Sequence, residues 1–262
     1  MNDNDLVALT LPDQYVKKYR FEKPNLNVSK EDIVKEGFLA EGSFGTVSIS
    51  TIRIKNKDIV HEIKFAIKEA KGDENELRQE IQMYNEINHD FIIKNVGFCK
   101  FNNKLNIILE YAEYGKINDY LRQKKESVCM DKVLKFCYQI ASAMAYMHEQ
   151  QLVHRDLAAR NIIVFDTDLC KLIDFGMSRV LNEKSTYPQY HAMSQSNSPN
   201  LRWTPPDAIR NQIYDEYSDS WSYGIVIWEL TSYGDYPYGQ MDDNQIRDYL
   251  QSENRLGKFK QN

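Results

Sequence analysis

Apolar and polar positions change their spacing several times along the 262 residues. From Thr46 to Ile54 they alternate, with Val47, Ile49 and Thr51 set against Ser48, Ser50 and Ile52. That is the period of a strand. The wider stretch 33–54 is rich in β-branched and aromatic residues and is broken by Glu41-Gly42-Ser43, so it predicts a hairpin. Lys55-Asn56-Lys57-Asp58 predicts a turn, and Glu62 to Glu69 a further strand. Glu74 to Ile87 changes to the helical period, with Leu77, Ile81, Tyr84 and Ile87 on one stripe. On that helix Glu80 is read with the polar neighbours of the Asn75–Gln79 run. Two more strands are predicted around 92–99 and 104–111. After Gly115 the chain turns helical. Asp131 to Glu149 carries the stripe Val133, Phe136, Cys137, Ile140, Met144 and Met147. A second apolar helix is predicted from Asp219 to Tyr233, and a shorter one around Gln245 to Ser252.

A β-rich half followed by an α-rich half predicts an α+β fold of two lobes. Residues 1–27 have no clear period and hold Pro12 and Pro24, so they read as an N-terminal extension, either packed on a domain or partly disordered. The domain proper is expected over 28–262, with one lobe at about 28–111 and the other at about 115–262. Residues 194–200 are the most loop-like stretch of the interior.

Composition narrows the class. Apolar residues are 42% and charged residues 27%, ordinary globular usage, so wholesale disorder is not expected. The net charge of −5 gives no support to a nucleic-acid partner. Cys99, Cys129, Cys137 and Cys170 form no C-x-x-C pair and read as small apolar residues in a reducing compartment. The first residues are acidic, unlike a signal peptide, and no apolar run approaches the ~18 residues of a membrane span. The expectation is a cytoplasmic protein, or the cytoplasmic portion of a longer one, with no membrane span.

Several short runs could do chemistry. Ala40-Glu41-Gly42-Ser43-Phe44-Gly45-Thr46-Val47 is a glycine turn whose backbone N–H groups could approach phosphate. It leads into a strand, not a helix, so it is no dinucleotide fingerprint, and no G-x-x-x-x-G-K-[ST] loop exists. Lys68 on a strand and Glu80 on the next helix could bring a cation to a phosphate and an anion to fix that cation. The decisive run is His154-Arg155-Asp156-Leu157-Ala158-Ala159-Arg160-Asn161, followed thirteen residues after Asn161 by Asp174-Phe175-Gly176. Asp156, Asn161 and Asp174 supply oxygen ligands that suit a hard Mg²⁺ holding substrate phosphates.

Together these runs resemble the protein kinase family. Ala158 stands where serine/threonine kinases usually place a lysine, two residues after the loop aspartate, and with Arg160 following it the run resembles the Ala-Ala-Arg pattern of the tyrosine kinase group. Leu201-Arg202-Trp203-Thr204-Pro205-Pro206 is similar to that group's substrate-receiving segment. The matches run from about Leu39 to Pro237.

The resemblance implies a kinase fold and transfer of the γ-phosphate of ATP to protein tyrosine, with Mg²⁺. It implies that Leu39, Ala40, Glu41, Gly42, Ser43, Phe44, Gly45, Thr46 and Val47 line the nucleotide. Lys68 would hold its phosphates and Glu80 would pair with Lys68. Leu39, Val47, Ala66 and Ile163 would sandwich the adenine, with Leu109 at the gatekeeper position. Glu110 and Ala112 would offer backbone hydrogen bonds to the adenine edge. Asp156 would take the proton of the attacking hydroxyl, with Arg160 in the same catalytic set, and Asn161 and Asp174 would bind Mg²⁺. Residues 174–207 would be the activation loop, Tyr187 and Tyr190 its phosphorylation sites, and Arg155 the partner of that phosphate. Transient self-association would serve autophosphorylation.

The pattern departs from the family at five places. Ala40 replaces the first loop glycine. Lys68 and Glu80 are only twelve residues apart, which implies a tight link. Asn95 stands where a leucine usually supports the helix of Glu80, and an unpaired buried amide there would be destabilising. Pro205-Pro206-Asp207 stands for Ala-Pro-Glu. The resemblance also implies further helices after Asn262, including an arginine for the acid at Asp207. The larger lobe is therefore expected to lack its last helices, leaving Trp221, Ile225 and Trp228 to meet water. Two alternatives to a tyrosine kinase stay open, a nucleotide-binding pseudokinase scaffold and a serine/threonine kinase.

Overall fold

The alternating stretches become strands of one antiparallel sheet in the computed structural model, which describes residues 6–42, 45–70, 74–101, 103–181, 190–191 and 201–257. The described residues fall into two units, one of Met1–Asn88 with Ile93–Tyr111, the other of His89–Ile92 with Ala112–Asn262.

The first unit contains β1 (Leu6–Thr10), α1 (Asp13–Tyr19), β2 (Asn25–Ser29), β3 (Ile33–Gly42), β4 (Gly45–Asn56), β5 (Ile59–Ala70), α2 (Glu74–Glu86), β6 (Asn95–Phe101) and β7 (Lys104–Glu110). Its seven strands lie in the order β2-β1-β6-β7-β5-β4-β3. Residues 6–29, for which the pattern left packing and disorder open, supply two strands and a helix. Val7, Leu9, Leu11, Phe21 and Val28 join Ile52, Ile54, Ile63, Phe65 and Ile67 in one buried cluster. Fully burying each such side chain stabilises by about 1.5–3 kcal/mol, so this segment belongs to the core. Gly97 lets β1 approach β6, since a Cβ there would lie 2.5 Å from the Ala8 carbonyl oxygen.

Asn95 corrects an expectation. It is half-buried and its Oδ1 accepts from the Gly97 N–H at 3.0 Å, where the β6–β7 register shifts. The amide is therefore neither fully buried nor unpaired, and its oxygen holds an irregularity in the strand. Glu80 corrects another. It lies on the buried face of α2 with Leu77 and Tyr84, and is 1% exposed.

The second unit contains α3 (Ile117–Lys124), α4 (Met130–Glu149), β8 (Leu152–Val153), β9 (Ile162–Asp166), β10 (Leu169–Leu172), β11 (Arg179–Val180), β12 (Tyr190–His191), α5 (Pro206–Asn211), β13 (Ile213–Tyr214), α6 (Glu216–Thr231) and α7 (Asp243–Gln251). The whole expected stripe of α4, from Val133 to Met147, is buried. Helix α6 starts three residues earlier than its apolar pattern because Asp215 and Ser218 form a reciprocal capping box. Ile225, expected to meet water, is buried with Ala158, Leu201, Trp203, Tyr238, Ile246 and Leu250. Trp221 packs against that cluster, and Trp228 is half-buried, its indole Nε1–H donating to the Gly257 carbonyl at 3.2 Å. The loop expected at 194–200 lies outside the described residues. No described helix is long and apolar enough to cross a membrane.

Candidate active site

In the first unit, strand register decides which side chains share a face. Ala40 lies opposite Val47, Val47 opposite Lys68, and Lys68 opposite Ile107. The next row is Ile49, Ala66, Leu109 and Asn95. Ala40, Val47, Ala66, Lys68 and Leu109 therefore sit on one face, opposite the face of Ile52, Phe65 and Ile67. Glu110 lies opposite Phe65 and belongs to the second face. Leu39 is the extra residue at a register shift in β3, and is 43% exposed. Glu41 pairs with Thr46 and Gly42 with Gly45, so the glycine turn is the tip of a hairpin. Ser43 and Phe44 lie outside the described residues. Gly45 also has a packing duty, because a Cβ there would lie 2.4 Å from the Glu69 carbonyl oxygen.

Helix α2 brings Glu80 to Lys68. The Lys68 Nζ donates to Glu80 Oε1 at 2.9 Å and Oε2 at 2.7 Å, and the side chains are 8% and 1% exposed. A buried pair of this kind does little for net stability, but it fixes the position of the ammonium. The link 71–73 lies outside the described residues.

In the second unit, the loop from His154 to Asn161 is held by side chains that motif reading passed over. The buried Asp219 carboxylate accepts from the His154 N–H at 2.8 Å and the Arg155 N–H at 3.0 Å. Its Oδ2 also lies 3.2 Å from His148 Nε2. His154 Nε2 reaches the Ile173 carbonyl at 3.3 Å, and its Nδ1 accepts from the Asp156 N–H at 3.2 Å. A carbonyl can only accept, so the pair of contacts calls for the Nε2–H tautomer. The Glu229 Oε2 accepts from the Ala159 N–H at 2.9 Å and from the Trp203 indole at 2.8 Å. Asp219 lies in the serine-rich first half of α6 and Glu229 in its apolar second half, and both are buried. A carboxylate in that setting needs an internal partner, and that was the available signal.

These anchors present Asp156, whose side chain is 25% exposed. Asn161 Nδ2 donates to its Oδ2 and to its backbone carbonyl, each at 2.7 Å. Arg160 Nη2 donates to its Oδ1. The Arg160 guanidinium rests on the Trp203 ring, 4.4 Å from the centroid. Both carboxylate oxygens are thus oriented, and one edge stays accessible.

Strands β9 and β10 pair through Ile162 and Leu172, and the Ile173 N–H donates to the Asn161 carbonyl at 2.9 Å. This sets Asn161 opposite Ile173, the residue before Asp174, and Asp174 itself lies in the left-handed region at φ 66°. Non-glycine residues rarely adopt that conformation, and where they do it often serves a function. Phe175, next in the chain, is buried against His154 with ring centroids 5.4 Å apart. The Asn161 amide nitrogen is engaged by Asp156, which leaves its Oδ1 as the end of the amide that can meet another partner. Among the described residues no three His, Cys, Asp or Glu gather around a metal position. Two oxygen donors fit Mg²⁺, which keeps several sites for water and phosphate. Ile163 is half-buried on β9 and Ala112 is buried.

Tyr187 lies outside the described residues. The backbone of Tyr190 pairs with Tyr214. The Tyr214 ring lies 4.5 Å beneath the Arg155 guanidinium, and Arg155 Nη1 also donates to the Met177 carbonyl at 3.3 Å. Asp207 is 87% exposed and meets Arg210 at 3.9 Å. The segment around it is held elsewhere. Arg202 donates to the Pro237 carbonyl at 2.6 Å and the Gly239 carbonyl at 3.2 Å, and Ser222 Oγ donates to the Trp203 carbonyl at 2.7 Å.

Burial raises the pKa of Glu229 above the usual carboxylate range, against the opposing hydrogen bonds of Trp203 and Ala159. The folded protein then holds this proton at pH values where the unfolded chain has lost it. Stability contributed here falls as pH rises from the ordinary glutamate pKa, about 4.3, towards the raised one. Glu229→Gln keeps an oxygen for both donors and does not titrate. Its melting temperature relative to the parent should therefore improve across that window, as differential scanning calorimetry at a series of pH values will read. A constant offset would refute the assignment.

The chain matches the family described as protein tyrosine and serine/threonine kinase over residues 33–262. It is 32% identical to tyrosine-protein kinase ZAP-70 of Mus musculus over 92% of this chain and 37% of that protein. It is 34% identical to ephrin type-B receptor 1 of Gallus gallus and to ephrin type-B receptor 4 of Homo sapiens, in each case over 92% of this chain and 25% of the relative. The chain thus spans between a quarter and two fifths of the length of these relatives.

Proposed function

The chain belongs to the protein tyrosine and serine/threonine kinase family, and from that premise we propose that it transfers the γ-phosphate of ATP to tyrosine hydroxyls of protein substrates. The observation that carries the reading is the Asp156 carboxylate, oriented on one oxygen by Arg160 and on the other by Asn161. Phosphoryl transfer is mostly positioning and charge stabilisation, so a few fixed groups suffice.

Asp156 accepts the proton of the attacking tyrosine hydroxyl. Lys68, held by Glu80, binds phosphate oxygens. Asn161 and Asp174 would hold Mg²⁺, which when bound neutralises charge on the phosphates. Leu39, Val47, Ala66, Leu109 and Ile163 are assigned to the adenine ring, and the backbones of Glu110 and Ala112 to its edge. Leu201 to Pro206 receive the substrate. Tyr187 and Tyr190 are assigned as acceptors when two copies meet, and the setting is cytoplasmic.

The test is an assay of the purified chain with MgATP and a poly(Glu,Tyr) substrate, followed by phosphoamino-acid analysis. Phosphotyrosine is expected. Phosphoserine or phosphothreonine alone would make the chain a serine/threonine kinase. Nucleotide binding without transfer would make it a pseudokinase scaffold.

A further inference from the structure

Helix α1 reaches the end of β7 from the face opposite Lys68. Gln14 Nε2 donates to Glu110 Oε1 at 2.7 Å, while Glu110 Oε2 accepts from the Lys94 N–H at 2.9 Å. The Glu110 N–H in turn donates to the Lys94 carbonyl at 3.2 Å. Glu110 is 1% exposed, so its carboxylate depends on protein donors in place of water. The helix is fixed around this contact. Tyr15 packs on Phe65 with ring centroids 5.6 Å apart, and Phe65 is the cross-strand neighbour of Glu110. At the other end of α1, Asn56 Nδ2 donates to the carbonyls of Tyr19 and Arg20 at 3.1 and 3.2 Å.

From this arrangement we infer that Gln14 is a positioning residue for nucleotide binding, acting by fixing the Glu110 carboxylate and through it the backbone that meets the adenine edge. The inference rests on the kinase reading above. It adds a role for a segment that lies before the family match, which begins at residue 33. Gln14 touches neither phosphate nor acceptor tyrosine, so its effect belongs to nucleotide affinity and not to the transfer step.

The experiment compares Gln14→Met, which removes the donor at similar length, with Gln14→Lys, which retains a donor, and Gln14→Glu, which opposes two carboxylates. Dissociation constants for MgATP and for adenosine are measured by calorimetry, and KM and kcat by phosphate transfer. Hydrogen bonds to charged groups are individually strong, and the stem of Gln14 is exposed, so Gln14→Met should weaken both ligands about fivefold. Gln14→Glu should weaken them more. Gln14→Lys should stay within about twofold of the parent, on the same reasoning. KM for ATP should rise while kcat at saturation holds. Unchanged affinity in Gln14→Met, a loss confined to kcat, or an equal loss in Gln14→Lys would overturn the inference. If Gln14→Met does not fold, the contrast between Gln14→Lys and Gln14→Glu decides. A parent chain that binds no MgATP would instead refute the kinase reading, and this inference with it.

Discussion

Asp156→Asn should lower kcat for tyrosine phosphorylation by a factor of about 10²–10⁴, the usual contribution of a positioned general base. An amide at this position cannot accept the hydroxyl proton. It also brings an NH₂ group against donors, because Arg160 and Asn161 each aim an N–H at a carboxylate oxygen. MgATP affinity should change by only a few fold. Asn161 keeps its bond to the Asp156 backbone carbonyl at 2.7 Å, so the residue proposed to hold Mg²⁺ stays in register. Single-turnover transfer measured beside a nucleotide titration separates the two quantities. Turnover equal to the parent's would exclude Asp156 as the base. A large loss of nucleotide affinity would assign the residue to binding.

Asp219→Ala should cost stability and activity together. The parent carboxylate is 1% exposed and accepts two backbone N–H groups of the Asp156 loop. Alanine removes the side-chain acceptor of both N–H groups, at about 1–3 kcal/mol each. A loss of ~3–5 kcal/mol lowers the melting temperature of a domain of this size by roughly 10 °C. The same change frees the backbone on which Asp156 is carried, so transfer should fall towards the level of Asp156→Asn. Asp219→Asn, which keeps one acceptor oxygen, should be intermediate in both respects. Thermal unfolding and the transfer assay on the three proteins check this order. A melting temperature within about 2 °C of the parent's would show that the loop is held by other contacts.

The legible parts of the site were those written consecutively. His154 to Asn161 and Asp174 to Gly176 each lie on one short loop, so their order in sequence is their order in space. The strands from Thr46 to Glu69 were legible because alternation is a local signal, and their register then put Val47, Ala66 and Lys68 on one face. Other residues escaped because their partners are distant in the chain. Glu80 was grouped with polar neighbours, since a single carboxylate in a mixed helix looks solvated until Lys68 is brought to it. Asp219 and Glu229 were absorbed into a helix read as apolar core, and their partners lie 65 and 70 residues away. Asn95 differs from its expectation because a local bond from the Gly97 N–H holds its oxygen. Residues 6–29 showed no period because their strands are only five residues long, too short to declare an inward face.

That last segment also bears on solubility. Strand β1 meets β6 at Leu9 and Gly97, and so stands between β6 and the end of the sheet. A fragment trimmed to residue 33, where the family match starts, would turn β6 into an edge strand. Val96 and Cys99 would lose the cover of Val7, Leu9 and Val28. A bare edge beside uncovered apolar side chains is a template for pairing with other chains. The described residues ahead of the family match thus cover a sheet edge that would otherwise be open to pairing with other chains.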